Sequence, residues 1–502
     1  HPPTVNTSRH QIRFLLGRDI IETELNDPTT TLLEFLREQA ELKGTKEGCA
    51  EGDCGACTVL IGELKDGRLQ HTSANACILL LGMVDEKQII TVEHAALPEP
   101  HPVQRAMVAT DGSQCGFCTP GFVMSMIGLQ AAHADHGHDS PPTREAIDQA
   151  LAGNLCRCTG YGPIIDAARH ACALPLSPDW QAMSCEAQTT LSAWGKEARP
   201  LASHGKCGHF EAPRTSAALL KVLQQHPDAT LVAGATDVGL WITKHGRPLS
   251  TLVHVGAIDE LKTIESNDAG LHIGAAASLA DAANALGALS PNIERVLLRF
   301  GGAQVRNRGT LGGNIANGSP IGDMAPILIA LDARLHLSGP DGPRTIPLEA
   351  FFIAYGKQDL NPGEFLESIS IPISDLNGFR CWKISKRFDQ DISAVLGAFQ
   401  LLIDGEQVHS ARICFGGMAG TPQRAVACEL ALTGQPFNRA TLALAQTALM
   451  SDFSPLSDLR ASRHYRLRVA SNLLERYWLD CIAGETQPDL YSSSMPGLLQ
   501  HD

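Results

Sequence analysis

Cys49-Ala50-Glu51-Gly52-Asp53-Cys54-Gly55-Ala56-Cys57, with a fourth thiol downstream at Cys77, is the stretch on which the reading of this chain turns. A C-x4-C-x2-C run followed by a distant Cys is a spacing in which four thiolates, Cys49, Cys54, Cys57 and Cys77, can hold the two irons of a 2Fe-2S cluster. Gly48, Gly52 and Gly55 lie between or beside these thiols, where a backbone wrapping a cluster needs conformations that a Cβ forbids. Ala50 and Ala56 leave the same room. The competing reading is zinc, which also takes thiolates but favours two separate C-x2-C pairs over one continuous loop.

With 502 residues the chain exceeds one domain, and about three or four are expected. Hydrophobic residues make up 44% and charged residues 19%, the proportions of a globular rather than a disordered chain. A formal charge of −14 argues against nucleic acid or an anionic membrane as partner, since both reward basic patches. No apolar run approaches the roughly 18 residues of a membrane span; Ala325 to Leu331 is short and flanked by Asp323 and Asp332. The start, His1-Pro2-Pro3, has neither an initiator Met nor the apolar core of a signal peptide and reads as a processed end. Fifteen cysteines, many of them in metal-like spacings, fit a reducing compartment rather than a disulfide framework, so the cytoplasm is the expected location.

Around the first cysteine loop the pattern is that of a small mixed unit. Gln11 to Leu16, a Gly17-Arg18-Asp19 turn and Ile20 to Leu25 predict a hairpin, and Leu32, Leu33, Phe35 and Leu36 a short helix with one buried face. Thr58 to Ile61 and Arg68 to His71 flank Asp66-Gly67, a strong turn dipeptide, and predict a second hairpin leading to Cys77. The next unit is helical, with Gln104 to Val108, Gly121 to Ala132 and Thr143 to Ala150 as its helices and Pro141-Pro142-Thr143 as a helix entrance. Two further cysteine pairs, Cys115 with Cys118 and Cys156 with Cys158, are far enough apart for helices to run out and back and bring them together. Taken alone, these pairs suit a cluster, zinc or a redox dithiol equally. His133 to Asp139 reads as a solvated loop between helices rather than a metal site.

Both cysteine sets occur together with Gln114-Cys115-Gly116-Phe117-Cys118-Thr119-Pro120-Gly121 and Gly153-Asn154-Leu155-Cys156-Arg157-Cys158-Thr159-Gly160-Tyr161. In this combination the chain resembles the molybdenum hydroxylases, the xanthine dehydrogenase family. The resemblance implies a second 2Fe-2S cluster held by Cys115, Cys118, Cys156 and Cys158 in a helical-bundle domain, beside the first in a plant-ferredoxin-like domain.

Residues 173 to 209, rich in Pro, Ser and Ala without a sustained apolar period, read as a linker. An α/β pattern follows: a helix over Ser216 to Gln225, then a short strand Ala229 to Ala233 that ends in Gly234-Ala235-Thr236-Asp237. A glycine turn between strand and helix can present N–H groups to a phosphate. A second cluster, Thr310-Leu311-Gly312-Gly313-Asn314 with Asp323 further on, allows close backbone approach to a ligand. No G-x-G-x-x-G of Rossmann type is present. These stretches resemble the family's FAD domain, which implies that Leu231, Val232, Ala233, Gly234, Ala235, Thr236 and Asp237 and the turn Thr310, Leu311, Gly312, Gly313 and Asn314 hold the pyrophosphate and ribityl chain. By the same resemblance Phe300 lies near the flavin or adenine, Asp323 belongs to the site, and Lys383 matches a cofactor-contacting Lys. Ala235 and Asp237 stand where relatives usually carry Asn and Glu. Beyond, Ser393 to Ile403 and Ala411 to Phe415 predict strands and Arg439 to Met450 and Arg463 to Tyr477 helices; Cys381, Cys414, Cys428 and Cys481 there have no ligand spacing.

The expected architecture is therefore multidomain α+β. It comprises a ferredoxin-like β-grasp domain (10–95), a helical-bundle 2Fe-2S domain (96–172), a linker (173–209), an α/β FAD-binding domain of the molybdenum-hydroxylase type (210–376) and a C-terminal α+β flavoprotein module (377–485). No nucleophile constellation suggests hydrolysis, and no catalytic residue is assigned. Clusters pass single electrons and nicotinamide takes a hydride; a flavin can do both and belongs between them. The resemblance implies an oxidoreductase subunit carrying two 2Fe-2S clusters and FAD, with NAD as acceptor. A molybdopterin-bearing large subunit would complete a heteromer, a dimer of heterodimers, acting on xanthine or hypoxanthine, or alternatively on an aldehyde or another N-heterocycle.

Overall fold

The computed structural model describes residues 8–96, 98–135, 137 and 141–481. Asp66 and Gly67 both take left-handed backbone, with φ of 50° and 76°, and so turn Thr58–Lys65 back onto Arg68–Asn75 in unbroken antiparallel register. That hairpin is one edge of a five-stranded sheet ordered Asp19–Glu24, Gln11–Leu16, Gln88–Ile90, Thr58–Lys65, Arg68–Asn75. Gln11–Leu16 pairs in parallel with Gln88–Ile90 and antiparallel with its hairpin partner. Thr31 caps the helical segment that begins at Leu32, its hydroxyl accepting from the Glu34 N–H at 3.1 Å, and Leu32, Leu33 and Leu36 are buried against Phe14, Val59 and Ile61.

The helical unit contains Pro102–Ala109, Thr119–Asp135, Arg144–Leu151 and Gly162–Ala171. Thr143 caps the third helix through the Ala146 N–H, as the Pro141-Pro142-Thr143 entrance implied. Phe122, Met126, Ile127, Ile147 and Ile164 form its core. Of the His133 to Asp139 tract, His133 to Asp135 end the second helix; His136, His138 and Asp139 lie outside the described residues.

The segment 173–209 is more than a connection. Ser177 caps a helix Pro178–Glu197 that has Pro178 at its first position. Trp180, Met183, Ala187, Leu191 and Trp194 fall on one buried face of that helix, a three-or-four-residue period diluted in the sequence by intervening Ser, Thr and Gln. Leu201–His204 is already a strand, pairing with His209–Ala212 in a four-stranded sheet completed by Thr251–His254 and Thr230–Val232.

A second, antiparallel sheet runs Ile264–Asn267, Gly270–Gly274, Phe365–Pro372, Arg334–Ser338, Arg344–Pro347. Met324–Ala330, which takes in most of the apolar run Ala325 to Leu331, is a fully buried helix packed in its core. The C-terminal module is an antiparallel sheet of Phe379–Ile384, Val395–Asp404, Gln407–Gly416 and Gln423–Arg424, covered by helices Val426–Leu432, Arg439–Asp452 and Arg463–Cys481. Phe399 is at its centre, stacked on Tyr477 and edge-on to Phe415. Cys381, Cys414 and Cys428 are buried there and Cys481 is half-buried. Among the described residues no helix is long and apolar enough to cross a membrane.

Candidate functional site

The four thiols of the first set are brought together by the loop between the short helix and the Thr58–Asn75 hairpin. Cys49 Sγ accepts backbone N–H bonds from Glu51, Asp53 and Cys54 at 3.4, 3.3 and 3.4 Å, the charge-stabilising contacts a thiolate ligand uses. Thiol contacts join Cys49 to Cys54 and Cys77 and Cys57 to Cys77. Hydrogen bonds from Cys54 and Cys77 hold the Cys49 thiol well below its ordinary value, and contact with Cys49 pushes Cys54 and Cys77 above theirs. The glycines are sterically required: a Cβ on Gly48 would stand 2.8 Å from Cys54 Sγ, and one on Gly55, at φ 73°, 2.3 Å from the Gly153 carbonyl.

The second set forms where two helices begin. Cys115 and Cys118 precede Thr119–Asp135, and Cys156 and Cys158 precede Gly162–Ala171, so both pairs lie at the positive ends of helix dipoles. Cys118 meets Cys156, and Cys115 meets Cys158. Burial, and then the neighbouring Cys156, pushes the Cys118 thiol up to about 12. Thr159 Oγ1 lies 3.2 Å from Cys156 Sγ and accepts from the Tyr161 N–H at 3.1 Å, while Tyr161, in left-handed backbone, receives the Cys156 N–H on its hydroxyl at 3.1 Å. Among the described residues no three Cys, His, Asp or Glu side chains converge as around a single ion; a two-iron cluster asks instead for two thiolates at each iron, and the second set presents its thiols in two pairs while the first forms a run of contacts, Cys54–Cys49–Cys77–Cys57. The sets are directly joined, since the Leu155 N–H, next to Cys156, donates to the Cys54 carbonyl at 3.0 Å.

The third element is a cavity of about 520 Å³ between the four-stranded sheet, the five-stranded antiparallel sheet and the C-terminal module, within the range of small-molecule sites. Of the residues named from sequence, Leu231, Ala233 to Asp237, Phe300, Thr310, Gly312, Gly313, Asn314, Asp323 and Lys383 line it. Val232 and Leu311 are buried behind it. The two loops do different work. Gly312 N–H donates to Ala275 O at 2.9 Å and Gly313 N–H to Thr310 Oγ1 at 3.0 Å, so that turn offers closeness more than free donors. A Cβ on Gly312 would meet the Ala275 carbonyl at 2.5 Å. In the other loop the N–H groups of Gly234, Ala235 and Thr236 have no acceptor among the described residues, and Ala235 holds left-handed backbone at φ 59°; successive outward N–H groups of this kind make an anion-binding nest. Asn314 Oδ1 is buried without a partner, a polar atom waiting for a ligand donor.

Lys383 is engaged on the cavity wall rather than free. Its Nζ donates to Asp323 Oδ2 at 2.7 Å and Ser393 Oγ at 2.8 Å, and Ser393 Oγ donates to Asp323 Oδ1 at 2.6 Å. Two of its three protons are thereby used and one remains for a ligand. Sequence reading missed Ser393, Gln390, Asp391 and Ile392, which line the same wall; they carry no local motif and arrive only through the C-terminal sheet. Trp241, also missed, walls the other end and donates to Asp237 Oδ2 at 3.0 Å. Its helix, Val238–Thr243, leaves the cavity and ends on the first cysteine loop, where Thr243 Oγ1 donates to the Ala50 carbonyl at 2.7 Å.

Four family models cover these parts in order: a 2Fe-2S iron–sulfur cluster binding domain over 16–81, a [2Fe-2S] binding domain over 91–169, an FAD binding domain in molybdopterin dehydrogenase over 206–374 and a CO dehydrogenase flavoprotein C-terminal domain over 380–481. The chain carries the iron–sulfur and FAD-binding domains of the molybdenum hydroxylase family. It is 34% identical to the xanthine dehydrogenase of Emericella nidulans over 94% of its own length and 39% of that protein's. It is 32% identical to that of Oryza sativa subsp. japonica over 82% and 35%, and 30% identical to aldehyde oxidase 2 of Mus musculus over 93% and 39%. The chain thus spans under two-fifths of the length of these relatives. Among solved structures, a carbon monoxide dehydrogenase from Hydrogenophaga pseudoflava matches 53% of this chain and 94% of its own at 28% identity and TM-score 0.51. Quinoline 2-oxidoreductase from Pseudomonas putida 86 matches 55% and 96% at 27% identity and TM-score 0.50. This chain thus has two 2Fe-2S binding domains and an FAD-binding domain of the molybdenum hydroxylase type.

Proposed function

We propose that this chain is the electron-transfer subunit of a xanthine dehydrogenase, taking electrons from a molybdenum-cofactor subunit that hydroxylates xanthine or hypoxanthine and delivering them to NAD. The observation that carries this reading is the contiguity of the three sites: the second cysteine set is bonded to the first through Leu155 and Cys54, and the first to the cavity helix through Ala50 and Thr243. Bound in these sites, clusters would pass single electrons and FAD would convert them to a hydride.

In this reading Cys49, Cys54, Cys57 and Cys77 ligate one cluster and Cys115, Cys118, Cys156 and Cys158 the other. The nest at Gly234–Thr236 binds the FAD pyrophosphate, Gly312 and Gly313 let the cofactor approach the backbone, and Phe300 faces its ring system. Asp323 and Ser393 orient the Lys383 ammonium and keep its remaining proton directed at the cofactor. The functional units run over 10–95, 96–172, 210–376 and 377–485, with 173–209 as a packed connector. The partner carries molybdopterin in a dimer of heterodimers in the cytoplasm.

The likeness to aldehyde oxidase 2 favours one alternative, the equivalent subunit of a hydroxylase for aldehydes or other N-heterocycles. Purification from the host tests the main reading: a molybdenum-bearing partner should copurify and the complex should reduce NAD with xanthine. A complex that oxidises aldehydes and leaves purines untouched would select the alternative, and flavin without iron would defeat both.

A further inference from the structure

The helix Ala303–Arg308 leads through Gly309 directly into the Thr310–Asn314 turn of the cavity. It lies on the cluster-bearing hairpin, where Asn307 Nδ2 donates to the Ser73 carbonyl at 3.0 Å and Arg308 Nη2 to Glu63 Oε1 and Thr72 Oγ1 at 2.7 and 2.6 Å. The first polar residue of this helix, Gln304, reaches further. Its side chain is 1% exposed, and its Nε2 lies 3.1 Å from Thr58 Oγ1, 3.3 Å from Ser125 Oγ and 3.1 Å from Asn154 Oδ1. Thr58 follows ligand Cys57, Ser125 rides the helix that starts after Cys118, and Asn154 stands two residues before Cys156. Ser125 Oγ also donates to Asn154 Oδ1 at 2.7 Å, and Asn154 Nδ2 donates to the Gly55 carbonyl inside the first cysteine loop at 3.2 Å.

One amide thus touches the hairpin of the first set, a helix and a loop of the second, and the approach to the cofactor turn. The fit leaves no slack: a Cβ on Gly153 would come within 1.9 Å of Gln304 Oε1, and one on Gly302 within 2.6 Å of the Gly153 Cα. Gln304 Oε1 itself is buried without a partner, an unmade bond that a residue kept only for packing would avoid by being Leu or Met. A buried network of coupled hydrogen bonds fixes geometry more firmly than its bonds taken singly.

We propose that Gln304 is a positioning residue that locks the entrance of the cofactor turn to both cysteine loops, so that flavin retention and the mutual placement of the two cysteine sets depend on its amide. This rests on the reading of those sites as flavin and cluster sites. The test compares the intact complex with Gln304→Leu, which keeps volume and loses the amide, and reads iron content, the dissociation constant for FAD rebinding to the deflavinated complex, and the magnetic splitting between reduced clusters. The expected result is full iron, FAD binding weakened by about tenfold and an altered splitting, none of which a loss of packing alone would produce together. Should Gln304→Leu yield no folded complex, Ser125→Ala deletes one acceptor with little change in volume, and about two- to threefold weaker FAD binding with the same spectral change is expected. Parental FAD affinity and superimposable spectra in the folded variant, with iron and flavin present in the parent, overturn this inference alone. A parent lacking either cofactor defeats the site reading and this inference with it.

Discussion

Cys57 and Cys77 are each 2% exposed, whereas Cys115 and Cys158 stand at the surface. The first set is enclosed on three sides, by its hairpin, by Asn154 of the helical unit and by the helix Val238–Thr243 of the flavin domain. The second has Phe117, Leu155 and Tyr161 exposed around it. Both use glycine in left-handed backbone, but for different reasons. Gly55 has the Gly153 carbonyl and Asn154 against it as well as a positive φ; Gly116 has only the positive φ, with nothing within 4 Å of its missing Cβ. An enclosed site is held by the whole chain, an open one by its own loop, and substitutions should separate them.

The sharpest separation is Gly55→Val. A β-branched side chain at φ 73° facing a carbonyl should destabilise the folded chain by about 4 kcal/mol or more, with iron lost from the first set; denaturant unfolding and iron analysis measure it. On the enclosed side, Lys383→Met leaves Asp323 as an unpaired carboxylate in a site where both side chains are 2–3% exposed. A loss of about 3 kcal/mol is expected, together with FAD release, and adding Asp323→Asn should recover much of the stability but not the cofactor.

Acid should weaken both regions. Burial pushes the His254 imidazole, beneath the Gly234 loop, down to about 3, and burial likewise holds His101, at the entrance to the helical unit, near 4. Below the ordinary histidine value of about 6.5, the unfolded chain binds protons that these folded sites refuse, so stability falls as pH drops from there towards the folded values. Each group contributes a slope of up to about 1.4 kcal/mol per pH unit. His254→Asn and His101→Asn should each flatten the pH dependence of the denaturation midpoint between pH 6.5 and 4.5, and an unchanged slope would show that these imidazoles are not buried neutral. Smallest is Gly116→Ala in the open loop, where only the left-handed backbone is disfavoured: about 1 kcal/mol, with iron content unchanged. An effect equal to that of Gly55→Val would erase the distinction between the two sets.

What the sequence disclosed follows the range of the interactions. The cysteine loop, the Asp66-Gly67 hairpin and the helix Ser216–Gln225 are set by neighbours a few residues apart; the helix and the turn stand where expected, while the hairpin strands run four residues past the expected ends, to Lys65 and Asn75. The helix Pro178–Glu197 escaped because its five buried positions are spread through polar residues, and the strand Leu201–His204 because it is too short to signal. The cavity's first wall was legible in its glycines, while Lys383 was legible only through family resemblance. The Gln390–Ser393 wall and the Gln304 network were not legible at all, since each is assembled from segments far apart in the chain and no local pattern marks a side chain for a tertiary bond.

Quantitative paramagnetic resonance on the anaerobically reduced, cofactor-loaded protein tests the central claim most directly. Two reduced 2Fe-2S clusters per chain should give two distinguishable signals, one abolished by Cys57→Ser and the other by Cys158→Ser. A single signal, or none with all eight thiols present, would contradict the assignment of both cysteine sets.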